Sequence, residues 1–436
     1  MVSKKESARS LALSVLVEVF DKGAYSNIAL QQALSQAELS DKDKGLVTEL
    51  VYGSLSRKIT LEWYLAHFIE DREKLDSWVY YLLMLSLYQL CYLDKIPNHA
   101  VVNEAVELAK RGKGTDKFVN ALLRKILATD LPNPDTIKRK NKRYSVLYSL
   151  PVWLVTRLIE EYGEERAEAI FASLLVRNKA SVRVTDSSYF ETLQVSLDAK
   201  PSAISPVGLV KDHGHFAGTD YFQQGLLTIQ DESSQLVAPT LDLQGDEQVL
   251  DACAAPGGKT CHMASYLTSG QVTALDLYDH KLRLIEENAQ RLGLTDRVRT
   301  QKLDAMQVAE TFGPDRFDKI LVDAPCSGIG LIRRKPDIRY NKETQDFASL
   351  QAVQLQILDS VCQSLKKGGI MTYSTCTIIA KENQEVLRAF LETHPNFEQV
   401  PLHHSQKELM VDGCLLITPE QFLTDGFFIG QVKRIS

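Results

Sequence analysis

Two cysteines stand at the ends of short apolar runs in the C-terminal half of this 436-residue chain. They are Cys326, in Asp323-Ala-Pro-Cys-Ser327, and Cys376, in Ser374-Thr-Cys-Thr377. The runs before them, Lys319–Asp323 and Ile370–Thr375, predict strands. Neighbouring strands of a parallel sheet end on one rim, so both thiols should face the same crevice. Ser327 and Gly328 leave room for a substrate beside Cys326. A lone cysteine is by default a small buried hydrophobe. Two at strand tips, beside acids, point to chemistry instead. A thiolate that adds to carbon 6 of a pyrimidine creates an enamine, and its carbon 5 becomes nucleophilic enough to attack a methyl donor. A base then removes the proton at carbon 5 and the thiol is expelled. An unperturbed thiol is only a few per cent ionised at neutral pH, so the site must lower its pKa or supply a base. Spacing alone leaves open which cysteine attacks.

A ligand site should lie next to them. Val249-Leu-Asp-Ala-Cys-Ala-Ala-Pro-Gly-Gly-Lys-Thr260 reads as a strand, a glycine-containing loop and a helix start. Such a loop lets a ligand approach backbone N–H groups at a helix N-terminus. A Walker loop would need glycine where Cys253 stands, and a dinucleotide fingerprint would need more than the pair Gly257-Gly258. The acids favour a third ligand class. Asp276 ends a second strand 25 residues after Asp251, and Asp304 and Asp323 follow the next two. An acid at the second strand end can accept both hydroxyls of a ribose. A carboxylate-lined crevice suits a cationic nucleoside such as S-adenosylmethionine better than a phosphate. Helix capping is the competing explanation for any one of these acids.

The first ~140 residues read as helical. Apolar residues recur at helical spacing from Ala8 to Val19, and the pattern continues through Asn27–Leu34, Asp43–Leu55, Asn103–Leu108 and Phe118–Ile126. Trp78–Leu93 is apolar on most faces but holds Ser86 and Gln89. It is too short and polar for a membrane span, and predicts a buried central helix. Residues 144–224 mix helices with strands at Ser181–Thr185 and Ile204–Lys211. Beyond 225, strands and helices alternate. Strands at Gln248–Asp251, Val272–Asp276, Val298–Leu303, Lys319–Asp323 and Ile370–Thr375, with a helix at Asp279–Leu292, predict a mostly parallel sheet covered on both faces. The domain boundaries expected are thus 1–143, 144–224 and 225–436.

Composition narrows the function classes. Hydrophobic residues make up 44% and charged residues 24%, which argues for a globular protein rather than a disordered one. The N-terminus lacks the apolar core of a secretion signal, which predicts a cytoplasmic protein. Seven cysteines without a C-x-x-C pair argue against a disulfide framework and a zinc site. The net charge of −6 hides an asymmetry: residues 95–143 hold 12 basic and 5 acidic residues. That stretch is a candidate anion-binding face, or a solvated helix surface. Arg333, Arg334 and Lys335 are candidate phosphate or base contacts, or exposed loop charges.

The Asp251–Thr260, Asp323–Ser327 and Ser374–Thr377 motifs resemble those of the RNA cytosine-5 methyltransferases. So do Gln230-Asp-Glu-Ser-Ser-Gln-Leu236 and Asp425-Gly-Phe-Phe428. The likeness is greatest to the bacterial Fmu/Sun type acting on 16S (small-subunit) ribosomal RNA, and the helical part looks like a NusB-type RNA-binding domain. This resemblance implies an all-α NusB-like N-terminal domain, a small α+β linker domain and a C-terminal α/β class I (Rossmann-like) methyltransferase domain. It implies that Cys253, Ala254, Ala255, Pro256, Gly257, Gly258 and Lys259 hold S-adenosylmethionine, with Asp276 on its ribose and Asp304 at its adenine. Asp323 would sit between cofactor and target base. Cys376 would be the nucleophile, and Cys326 would assist product release. The partner implied is 16S ribosomal RNA, for a monomer that uses no metal and no membrane. The chain departs from the family at Ala380-Lys-Glu-Asn383, where Pro and paired acids commonly precede Asn. A transfer RNA cytosine-5 methyltransferase would share every catalytic residue. A non-catalytic RNA-binding factor is a further alternative, against which the intact cysteine pair speaks.

Overall fold

The computed structural model describes residues 7–212, 214 and 216–436. The chain forms two units. One comprises the residues up to Leu175 together with Arg334–Asn341; the other comprises Val176–Arg333 together with Lys342–Ser436.

The first unit is helical. Its opening helix, Ala8–Lys22, starts at a reciprocal Ser7/Ser10 capping box and stops at Gly23, whose positive φ of 67° suits glycine. The apolar run predicted at 78–93 is the helix Ser77–Tyr92, buried from Val79 to Gln89. Its polar residues bond within the helix: the Ser86 hydroxyl donates to the Leu82 carbonyl, and the Gln89 amide to that of Leu85. This satisfaction makes their burial affordable. No described helix is long and apolar enough to cross a membrane. The other patterns become the helices Ser26–Gln36, Asp41–Ser56, Asn98–Ala109 and Thr115–Leu127.

Two features of this unit depart from the expected organisation. The helices Val152–Tyr162 and Glu164–Ser173, expected in a linker domain, belong here. They bury Leu154, Val155, Leu158, Ile170 and Phe171, and the Phe171 ring lies 6.0 Å from Tyr144 and 5.8 Å from Tyr148 on the helix Lys140–Tyr148. The second feature is the inserted segment Arg334–Asn341. Its Arg339 is fully buried and donates to the carbonyls of Ser56, Tyr148, Ser149 and Leu174. These lie at the ends of three helices, where partial negative charge favours a cation. The Ser26 hydroxyl donates to Asp337, and the Tyr340 hydroxyl to the Leu55 carbonyl.

The second unit holds two sheets. The smaller is antiparallel, in the order Lys200–Pro201, Gly208–Lys211, Ala180–Val184, Leu227–Ile229. It buries Val182, Val184, Leu209 and Leu227 in a core of its own. The larger sheet has nine strands. Five of them run parallel in the order Val298–Lys302, Gln271–Asp276, Gln248–Asp251, Phe317–Asp323, Leu365–Thr375. In chain order this is 3-2-1-4-5, a doubly wound arrangement whose direction reverses between Gln248–Asp251 and Phe317–Asp323. All five predicted strands are present. The sheet is not mostly parallel, however. Phe427–Arg434 pairs antiparallel with Leu365–Thr375, and Cys414–Ile417, Met410–Val411 and Phe397–Gln399 extend that edge. The hairpin between Val411 and Cys414 turns through Asp412-Gly413, both at positive φ (50° and 76°), the signature of a two-residue turn.

Candidate active site

The loop Ala252–Gly257 leaves the first parallel strand at the point where the sheet order reverses. Gly257 closes it at φ 99°, and a Cβ there would lie 3.0 Å from the Ile285 Cα. Only glycine meets both conditions without strain. The helix Gly258–Tyr266 follows. Within the loop, Ala254 is buried against Ala274, Leu282 and Ile285, and the Pro256 carbonyl accepts the Asn288 side-chain amide at 2.9 Å.

A cavity of about 310 Å³ opens at the carboxyl ends of these strands. Of the residues anticipated as ligand-binding, Cys253, Ala255, Asp276, Asp304 and Asp323 line it; Ala254, Pro256, Gly257, Gly258 and Lys259 shape the loop and helix start beside it. Asp276 accepts the Tyr278 amide, and Asp304 caps a short helical turn through the Met306 amide. Both acids therefore have a local structural role and also border the cavity. Sequence reasoning missed the opposite wall, where Val353 and Ile357 project from the helix Asp346–Val361. Their four-residue spacing marks one helix face, but nothing local says what that face meets.

Asp323 links the cavity to the thiols. Its carboxylate pairs with Lys259 at 2.8 Å and accepts the Ser374 hydroxyl at 2.7 Å, while also bordering the cavity. Burial disfavours the Lys259 ammonium, but the Asp323 charge and hydrogen bond outweigh it and hold the pKa above its ordinary value. Behind the loop, burial pushes Asp251 up to about 7, against the hydrogen bond it accepts from Thr260. Burial likewise raises the Cys253 thiol above its ordinary range.

The two thiols meet as expected. The Sγ atoms of Cys326 and Cys376 are 3.3 Å apart, within hydrogen-bonding reach for sulfur. Strand register delivers them, because Asp323 pairs with Ser374 and each cysteine follows its strand end closely. Backbone bonds continue the pairing beyond the strands: the Ala324 amide donates to the Ser374 carbonyl and the Gly330 amide to that of Cys376. Cys326 and Cys376 are partly exposed, while Ser374, Thr375 and Thr377 are fully buried. The hydrogen bond with Cys376, and then burial, push the Cys326 thiol well above its ordinary pKa.

The remaining motifs converge on these loops. The Gly426 amide donates to the Gly330 carbonyl, and a Cβ at Gly330 would overlap the Gly426 carbonyl. The Thr424 hydroxyl and the Asp425 amide donate to the Asp231 carboxylate. Arg333 is not a surface contact for RNA. It is buried and donates to the Thr424 carbonyl at 2.5 Å, so its charge serves the loop rather than solvent.

A doubly wound sheet with a glycine turn, strand-end carboxylates and a cavity at the reversal point defines a class I methyltransferase domain. Residues 238–433 match the family described as 16S rRNA methyltransferase RsmB/F, and residues 6–128 match the NusB family. The chain is 45% identical over 447 residues to the probable ribosomal RNA small subunit methyltransferase B of Bacillus subtilis (strain 168), with 99% of each chain covered. It is 33% identical over 438 residues to the ribosomal RNA small subunit methyltransferase B of Serratia proteamaculans (strain 568), with 98% of each covered. The crystal structure of PH0851 has the same fold, with a TM-score of 0.83 at 24% identity over 99% of this chain and 100% of that one. The protein belongs to the RsmB/F family of 16S ribosomal RNA methyltransferases and carries a NusB-type N-terminal domain.

Proposed function

We propose that the protein transfers a methyl group from S-adenosylmethionine to carbon 5 of a specific cytidine in 16S ribosomal RNA, through a covalent adduct between Cys376 and carbon 6. The observation that carries this reading is the thiol pair, 3.3 Å apart, beside a carboxylate that also borders the cavity. A solved structure of similar fold is that of NSun6 from Pyrococcus horikoshii with SFG (TM-score 0.59, 20% identity, 66% of this chain and 100% of that one).

The residues present fit S-adenosylmethionine. Three carboxylates and Lys281, whose ammonium lies 3.7 Å from Asp276, meet a cavity otherwise walled largely by apolar side chains such as Leu277, Pro325 and Ile357, so acids outnumber bases in the lining. That donor set suits a ribose and a cation and repels a phosphate. In this reading Asp276 accepts the ribose hydroxyls and Asp304 stands at the adenine. The loop from Cys253 to Lys259 brings the backbone against the ligand. When bound, S-adenosylmethionine supplies an electrophilic methyl group.

The protein's own groups supply the rest. The target base leaves its stack, because carbon 5 and carbon 6 are otherwise out of reach. Asp323 hydrogen-bonds the cytosine ring. The Cys376 thiolate forms a bond to carbon 6, and the ring electron pair moves to carbon 5, which takes the methyl group. A base takes the carbon 5 proton, its bonding pair re-forms the carbon 5–carbon 6 double bond, and the sulfur–carbon bond breaks with the thiolate leaving. Cys326 assists this last stage. Residues 1–143 serve RNA binding and residues 225–436 methyl transfer. The basic stretch 95–143 suits this role, since all of its Lys and Arg residues except Arg143 are exposed.

Two substitutions test the reading. Cys376→Ala is expected to abolish methylation of 16S ribosomal RNA, measured by bisulfite mapping; near wild-type methylation would reject Cys376 as the nucleophile. Cys326→Ala is expected to accumulate an RNA–protein adduct that survives denaturing electrophoresis. Normal turnover without a trapped species would reject its role in release.

A further inference from the structure

The dipeptide Glu382-Asn383 lies just beyond the second cysteine motif. Both side chains are fully buried. A buried carboxylate is costly unless its oxygens are hydrogen-bonded, and those of Glu382 bond chiefly to the first cysteine loop, with a further side-chain bond to Thr377. Its Oε2 accepts the Ser327 amide at 2.7 Å, and its Oε1 accepts the Ser327 hydroxyl at 2.5 Å. Gln354 ties the other flank to the same carboxylate: its amide donates to the Pro325 carbonyl at 2.9 Å and to Glu382 Oε2 at 3.4 Å. Both residues that flank Cys326 are therefore held by one polar cluster.

Asn383 does the same for the other thiol. Its Oδ1 accepts the Thr375 hydroxyl at 2.5 Å, and its Nδ2 donates to the Thr377 carbonyl at 3.0 Å. These are the two neighbours of Cys376. The clusters are joined by the Ser327 and Thr377 hydroxyls, 3.0 Å apart, and are anchored from below by the Tyr373 hydroxyl, which donates to the Glu382 carbonyl at 2.7 Å. Neither Glu382 nor Asn383 borders the cavity.

We propose that Glu382 and Asn383 are positioning residues with separable effects: Glu382 sets the Cys326 thiol and Asn383 sets the Cys376 thiol. The proposal rests on the cysteine roles given above. It predicts different failures from adjacent residues. Loss of the Glu382 carboxylate frees the Cys326 loop, so bond formation by Cys376 continues while release slows. Loss of the Asn383 amide frees the Cys376 loop, so the adduct forms slowly and does not build up. A displacement of about 1 Å at a reacting group can cost on the order of 100-fold in rate.

The test uses the full-length enzyme, 16S ribosomal RNA and S-adenosylmethionine. It measures methylation turnover and the fraction of protein held in a denaturation-resistant RNA adduct. Glu382→Ala, Glu382→Gln and Ser327→Ala are expected to slow turnover by roughly 10-fold or more and to accumulate adduct, with Gln milder than Ala. Ser327→Ala removes only the hydroxyl end of the contact, so it still reports if Glu382→Ala does not fold. Asn383→Ala is expected to slow turnover by a similar factor with no adduct above wild type. Cys326→Ala is the reference. If it traps adduct while the Glu382 and Ser327 variants do not, the positioning role is overturned and the cysteine roles stand. If Cys326→Ala itself traps nothing, the cysteine roles fail and the proposal falls with them. Adduct accumulation in Asn383→Ala would overturn the assignment of that residue to Cys376.

Discussion

Asp251 ends the first parallel strand and is buried, with its carboxylate accepting the Thr260 hydroxyl at 2.7 Å. Its pKa is pushed up to about 7, chiefly by burial. The native state thus holds the proton more tightly than the unfolded chain, where the pKa is near the ordinary ~3.9. The stabilisation from this group is fully present below about pH 4 and is lost as pH rises through about 7. Asp251→Asn removes the titration. Its melting temperature relative to wild type is therefore expected to rise between about pH 4 and pH 7 and to level off above. A difference that stays constant with pH in thermal unfolding experiments would show that Asp251 does not titrate in this window. Residue types made much of this site legible, because thiols and carboxylates at strand ends are visible in any reading of the chain. Glu382 and Arg339 were not singled out. An acid in a turn and an arginine in a loop read as surface charge until their buried partners are known.

The turn that carries the glycine loop works at the scale of one strand and one helix. Gly257 combines a φ of 99° with a close approach to the backbone of the helix Asp279–Arg291. Alanine there would be strained in φ and would press on Ile285. The expected cost is about 1–3 kcal/mol, read as a lower urea midpoint, together with weaker S-adenosylmethionine binding in calorimetry. Wild-type values for both would mean that the loop relaxes freely. At this scale the sequence was most informative. The predicted strand Gln248–Asp251 matches the structure residue for residue, and the helix predicted at Asp279–Leu292 ends at Arg291. The antiparallel edge was missed although Asp412-Gly413 is a strong hairpin signal. The strands it joins are short, Met410–Val411 and Cys414–Ile417, and give little alternation to detect.

The helical unit depends on a segment that the chain supplies from far along its length. Arg339 places one guanidinium among four backbone carbonyls. Burial lowers its pKa to about 10, so it remains a cation at neutral pH. Arg339→Met would keep the volume but leave those carbonyls without their donor. Breaking such a buried charged contact typically costs about 3–5 kcal/mol. Trp63, Trp78 and Trp153 are the chain's three tryptophans and all lie in this unit. Their fluorescence should therefore show an earlier urea transition in the variant. An unchanged midpoint would make the contact energetically idle.

Periodicity, turn residues and capping act over a few positions, which is why the sequence by itself determined the helices, the five parallel strands and the glycine loop. Hydrogen bonds between residues far apart in the chain depend instead on how whole elements pack. The two thiols are 50 residues apart in sequence, and Arg339 is 283 residues from Ser56. Tertiary structure alone decided that Arg333 is buried, that Val353 and Ile357 wall the cavity, that Glu382 holds Ser327 beside Cys326, and that Asn383 holds both neighbours of Cys376. Each outcome follows from which surfaces exclude water together, and no local pattern encodes that.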